Sequence, residues 1–277
     1  MPEIICARAD GLGQKRLFGV LQMPIFDVAG HPETGKIVYS AQVSVDPLRT
    51  RIFLMNIDGS GMQGLTDGTQ NDGSLQWFPN GKRIAFVSWS RDPDNRPHVF
   101  SLDIETREVV QHASVLPEVW TMAPVGDNMS IAVTPGQYLG IRETEEGPDT
   151  ELVVISTLEQ QEVLDQLTRN DTDERSPVYS ETARALACVS TAGGNSKLDV
   201  YYLNGGDPYT VATDTTIAHP YWSPDGHRIS YINGDGKVVI VDIITKNRMT
   251  LDTTQLTGSI KIPSNTVSSM AWVTPSI

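Results

Sequence analysis

Acids and amides gather ahead of a series of apolar runs in this chain, and they are its residues with the most chemistry to offer. Asn71 and Asp72, Glu118, Asn170 and Asp171, Asp173 and Glu174, His219 and Asn265 each stand shortly upstream of such a run. Two carboxyls at a suitable separation, one with a raised pKa, would perform glycoside or proton-transfer chemistry. The same acids around one opening would instead bind a cation, an amine or a basic peptide. The bland alternative is that they are solvated turn residues, because Asx side chains cap turns well. Asp72, Glu118, Asp171, Asp173, Glu174 and His219 are the candidate partner- or ligand-binding residues. No residue is assigned as catalytic or as a metal ligand.

Other chemistries lack their signatures. A serine hydrolase needs its nucleophile on a G-x-S-x-G elbow, and that string does not occur. Gly59, Gly61 and Gly64 spell G-x-G-x-x-G, but they lead into a hairpin with no helix to receive a pyrophosphate. No Cys/His or His/Glu cluster has zinc spacing, and no cofactor is implied. Asp92, Asp94 and Asn95 lack the Gly and terminal Glu of a calcium loop and read as a turn. Cys6 and Cys188 read as reduced core fillers. The histidines His31, His98, His112, His219 and His227 read mostly as surface residues. Trp120, two residues before Met122, reads as core packing. The acidic insertion Arg142–Thr150 reads as a solvated loop.

Bulk properties narrow the partners. A formal charge of −13 argues against a phosphate-backbone binder, so no nucleic acid is expected. No apolar run approaches the roughly 18 residues that span a bilayer, so no membrane insertion is expected. The first residues lack a basic start followed by a long apolar stretch. Without a signal peptide, the expected location is the cytoplasm or a larger assembly.

The elements that must position the acids are written as a repeat. Pro220–Ile232 reads P-Y-W-S-P-D-G-H-R-I-S-Y-I, and Ser74–Val87 repeats its aromatic, Pro and Gly at matching offsets. Trp222 stands nine residues before Tyr231, as Trp77 does before Phe86, Tyr179 before Cys188 and Met122 before Ile131. Self-similarity at a period of tens of residues marks a stacked repeat architecture. Each copy predicts a short strand ending on the large side chain, a Pro/Asp/Gly turn, an apolar strand and an outer pair around a polar turn. Runs without alternation, such as Ile84–Val87 and Val238–Val241, predict strands covered on both faces.

The expectation is all-β: a single six-bladed β-propeller over residues 1–277. Five units span roughly 20–67, 68–114, 115–169, 170–213 and 214–254. The closing blade is expected from 255–277 plus 1–19, with Ser268–Trp272 as its opening strand and Ile4–Phe18 as its outer pair.

These motifs resemble the TolB-like family of β-propeller repeats from Ile4 to Trp272, most strongly at Trp77–Val87 and Trp222–Ile232. The resemblance implies protein–protein recognition. The expected function is a non-enzymatic protein-binding scaffold whose partner is another protein or assembly subunit. The alternatives are a structural subunit of a large assembly such as a virion, and a carbohydrate-active or lyase-type propeller enzyme using the acids above.

Overall fold

This computed structural model describes residues 3–6, 15–19, 24–135, 149–158, 163–170, 172–203 and 207–251. Every regular element among them is a strand. Five four-stranded antiparallel sheets follow one another along the chain, each in simple up-and-down order. Blade 1 contains β3 (Ile25–His31), β4 (Lys36–Val45), β5 (Leu48–Asn56) and β6 (Gln63–Gly64). Blade 2 contains β7 (Asp72–Trp77), β8 (Arg83–Ser88), β9 (His98–Asp103) and β10 (Val109–Gln111). Blade 3 contains β11 (Thr121–Pro124), β12 (Met129–Pro135), β13 (Thr150–Ser156) and β14 (Val163–Gln166). Blade 4 contains β15 (Asp173–Ser180), β16 (Ala185–Ala192), β17 (Asn195–Tyr202) and β18 (Tyr209–Asp214). Blade 5 contains β19 (Ile217–Trp222), β20 (Arg228–Asn233), β21 (Val238–Asp242) and β22 (Arg248–Thr250).

The count of five corrects the expected six. The strands β1 (Glu3–Cys6) and β2 (Lys15–Gly19) form a two-stranded sheet of their own. Ser268–Trp272, the expected opening strand, lies outside the described residues. The physical reason is in the repeat itself. Each full blade owes its core to a second strand that is apolar on both faces, and the N-terminal hairpin matches only the outer half of a unit. Two strands alone are marginal as an independent sheet.

The core lies in the seams between neighbouring blades. Along β8, Ile84 and Phe86 pack toward blade 1, whereas Ala85 and Val87 pack toward blade 3. Successive side chains of a strand point to opposite faces, so an unbroken apolar run is what a blade covered on both sides requires. The repeated aromatic has a further task. Trp77 Nε1 donates to the Ala29 carbonyl at 3.1 Å, and Trp222 Nε1 donates to the Val178 carbonyl at 3.0 Å. Each indole thus ties its blade to the first strand of the preceding one while filling the seam.

The Pro/Asp/Gly turns close in the expected way. Gly226 N donates to the Ser223 carbonyl at 2.9 Å, and the Asp225 carboxylate accepts from His227 N at 3.0 Å. Gly226 has φ +70°, and a Cβ there would sit 2.8 Å from Ala183 N of blade 4. Glycine is needed both for the backbone conformation and for the approach to the neighbouring blade.

Candidate functional site

The first strands of successive blades touch one another, placing β3, β7, β11, β15 and β19 innermost. Four of them carry a register irregularity: between Ile25 and Asp27, Gly73 and Gln76, Arg175 and Val178, and Ala218 and Tyr221. Three of these bulges hold a non-glycine residue at positive φ: Ser74 at 54°, Ser176 at 50° and His219 at 49°. Such conformations cost of order 1–3 kcal/mol each and persist only where the surroundings enforce them. A bulge bends its strand and re-aims the side chains beside it, here toward the axis.

At the axis is a cavity of about 230 Å³, with walls from all five blades. Asp27, Gln76, Trp120, Arg175, His219 and Tyr221 line it, with Ser74 and Ser176 at the bulges. Gln76 Nε2 donates to the Pro177 carbonyl at 2.9 Å, linking β7 to β15 two blades away. The Asp27 carboxylate accepts from Val28 N at 2.9 Å and from Leu75 N of blade 2 at 2.5 Å. Burial, reinforced by the charge of Asp27, pushes the Tyr221 phenol well above its ordinary range, so it stays a hydrogen-bond donor. Trp120 is 44% exposed, and its Nε1 donates to Glu118 Oε2 at 3.2 Å. A carboxylate, a guanidinium, an imidazole and an exposed indole thus face one opening.

The residues singled out from sequence are distributed unevenly. His219 lines the cavity, and Glu118 orients the cavity-lining Trp120. Asp72 is buried at 1% exposure in a two-point ion pair, accepting from Arg91 Nη2 at 2.8 Å and from Arg91 Nε at 3.3 Å. Glu174 is wholly buried between blades 3 and 4, while its neighbour Asp173 is exposed. Asp171 and Asn265 lie outside the described residues. Trp120, expected in the core, lines the opening instead, at the axial end of β11 where its backbone N–H donates to the Val133 carbonyl at 2.9 Å. His31, His98 and His112 are buried, at 3%, 5% and 1% exposure, rather than at the surface.

Asp27, Gln76, Trp120, Arg175 and Tyr221 were not among the sequence candidates. A signal for two of them was present. Gln76 and Tyr221 immediately precede Trp77 and Trp222. A residue beside a seam-facing aromatic points to the strand's other face. Among the described residues no group of three or more His, Cys, Asp or Glu side chains converges as a metal site, and no helix is long and apolar enough to cross a membrane.

Known proteins share this architecture. The model for the TolB beta propeller domain matches residues 34–270. The crystal structure of TolB from Acinetobacter baumannii superposes with a TM-score of 0.72 at 20% identity, covering 90% of this chain and 59% of that one. A putative TolB from Agrobacterium tumefaciens superposes with a TM-score of 0.66 at 11% identity, covering 86% and 83%. Dipeptidyl-peptidase 5 of Porphyromonas endodontalis is 38% identical over 60 residues, which is 21% of this chain and 9% of the peptidase. The chain therefore spans less than two thirds of the Acinetobacter protein and a small part of the peptidase, and the structural likenesses at these identities establish the fold alone. With a family model matching most of its length, the chain belongs to the TolB β-propeller domain family.

Proposed function

We propose that this propeller is a protein-binding module that takes a segment of a partner protein at its axial opening. The observation that carries the reading is the cavity itself, to which all five blades contribute and which mixes Asp27, Arg175 and His219 with the exposed ring of Trp120. Concave sites of this kind, apolar in the main with a few placed polar groups, are where ligands bind. Exposed aromatic and arginine side chains are the common anchors of protein interfaces. The Asp27 carboxylate would accept from a partner's backbone or cationic groups, and Arg175 would donate to a carbonyl or carboxylate. Glu118, Asp173 and His219 would serve the rim, whereas Asp72 and Glu174 would act from within by holding the first strands in place. The net charge of −13 favours a neutral or basic partner segment.

Co-purification from native extract tests this with Trp120→Ala and Arg175→Glu beside the wild type. The expected result is a partner recovered with the wild type and lost with both variants, while their melting temperatures stay close to the parent's. A partner retained by both variants would place binding elsewhere on the molecule.

A further inference from the structure

The heads of β7 and β15 are docked on the same plan. Thr50 Oγ1 donates to the Asp72 carbonyl at 2.6 Å, and Thr150 Oγ1 donates to the Glu174 carbonyl at 2.5 Å. Asp72 pairs in register with Ser88, as Glu174 does with Ser190, so the two acids hold one position of the repeat. Arg91, three residues past Ser88, is the cation on Asp72; three past Ser190 stands Gly193. Glu174 has a second acid in place of a counter-charge: Glu151, at 0% exposure like Glu174 itself.

The hydrogen bonds of this seam call for one proton more than its neutral side chains supply. Asn170 joins the two carboxyls, its backbone N–H donating to Glu151 Oε1 at 3.1 Å and its Nδ2 to Glu174 Oε1 at 3.0 Å. Asn170 Oδ1 accepts from Thr172 N at 2.7 Å, which fixes the orientation of the amide. The Thr172 hydroxyl then lies against two acceptors at once, Asn170 Oδ1 and, at 2.5 Å, Glu174 Oε1. A hydroxyl has one proton to donate, so it makes only one of these bonds as donor. A proton on Glu174 supplies the other, running from Glu174 to Thr172 Oγ1 while Thr172 donates to Asn170. The second oxygen of each carboxyl, Oε2, is buried without a hydrogen-bond partner among the described residues, a setting in which two full charges are costly.

We propose that Glu151 and Glu174 hold one proton between them, and that this proton latches the head of β15 and so governs the axial opening. Two like acids in a dry seam do not both ionise, and the pair titrates as a unit. The groups facing them do not replace the proton. Asp149 and Asp173 are further acids, and the Asp199 carboxylate is taken up by the Ser190 and Thr210 hydroxyls. Burial keeps the Cys188 thiol and the Tyr201 phenol neutral. The cation, Arg169, extends to Gln166 Oε1 at 3.0 Å. The link to the opening is covalent: Arg175 and Ser176 follow Glu174, both line the cavity, and the bulge of β15 begins at Arg175. With the proton in place, β15 stays docked on blade 3 and Arg175 keeps its position. Once it is lost, two charges share the seam and the head of the strand is driven off. Burial, reinforced by the charge of Glu151, raises the pKa of Glu174 to about 7, so the latch is closed on the acid side of neutrality and weakens as pH rises from 4.5 to about 7. The effect on a partner rests on the axial binding reading; the latch itself does not.

Hydrogen exchange of the whole chain, read by mass spectrometry at pH 6 and pH 8 and corrected for the intrinsic rate, tests the latch without any partner. In the wild type, protection of residues 172–180 should fall about tenfold between the two pH values, while residues 72–77, where Asp72 has its arginine, show no such step. Glu174→Gln, which keeps the shape of the protonated side chain, should abolish the step. Should that variant fold poorly, Glu151→Gln carries the comparison, since removing the like charge should move the step to higher pH. Equal protection of the wild-type strand at both pH values, or a step that survives Glu174→Gln unchanged, would overturn the proposal. Co-purification at the two pH values separates this from the axial reading. Recovery of a partner should fall at pH 8 with the wild type and not with Glu174→Gln, and an equal fall with both would overturn the regulatory step. Recovery of no partner at either pH, with the exchange step present, would count against the axial reading and leave the latch standing.

Discussion

Between blades 1 and 2 a buried acid meets its cation within the chain; between blades 3 and 4 two buried acids meet each other. The hydroxyl of Thr50 or Thr150 locks the head of the following blade in both places, so the backbone plan is unchanged. What differs is electrostatic. A buried carboxylate without a partner is costly, and a protein relieves it with a counter-charge or by keeping the proton. Asp72 has the counter-charge in Arg91. Glu174 has none among the described residues, and burial, with the charge of Glu151 adding to it, pushes its pKa up to about 7. The same repeat position is thus a structural clamp in one seam and a strained, chargeable site in another.

Breaking the first seam should have the largest effect. Arg91→Met leaves Asp72 buried without its cation and should cost about 3–5 kcal/mol in urea unfolding. Adding Asp72→Asn to that variant should return most of the loss, because it removes the uncompensated charge. If the double variant is no better than Arg91→Met alone, the pair acts through packing rather than charge.

The second seam should respond in the opposite sense. The folded-state pKa of Glu174 lies above its ordinary value of 4.5, so between pH 4.5 and about 7 the native protein holds more protons than the unfolded chain. Stability is therefore lost as pH rises through that window, and above it the full penalty applies. Glu174→Gln should flatten this slope and gain up to about 3 kcal/mol at pH 8. His112 runs the other way. Burial lowers its pKa from 6.5 to about 4, so its contribution is lost as pH falls through that range. The glutamine variant should expose that acid-side loss more cleanly. An unaltered stability profile would remove Glu174 from the explanation.

A smaller effect sharpens the structural half of the comparison. Trp222→Phe keeps most of the ring in the seam but removes the donor to the Val178 carbonyl, and should cost about 1 kcal/mol. Trp77→Phe should cost about the same through Ala29, since the two indoles do one job in two seams.

The strands and turns were legible because they depend on local rules. Pro224, Asp225 and Gly226 specify a turn, and Ile84-Ala85-Phe86-Val87 specifies a strand with two covered faces. The repeated tryptophan could be located, but not its carbonyl partner, since Ala29 lies 48 residues from Trp77. The sixth blade failed because matching motifs were counted without the apolar second strand that gives a blade its core. The axial cavity was legible only in part. Positive φ at Ser74, Ser176 and His219 has no residue-type signature, so the bulges that turn Arg175 and Tyr221 inward leave no mark in the sequence. Asp72 and Glu174 read alike as acids ahead of an apolar run; Arg91 three residues past Ser88 and Gly193 three past Ser190 do differ in the sequence, but only the strand register shows that these positions face the acids.

Site-specific photo-cross-linking in native extract tests the axial binding reading most directly. A photoreactive residue would replace His219 at the opening or, as the control, the exposed Leu158, which lies outside the cavity lining. A discrete partner captured from position 219 and not from position 158 is the predicted result. Capture of the same partner from position 158 alone, with none from 219, would contradict it.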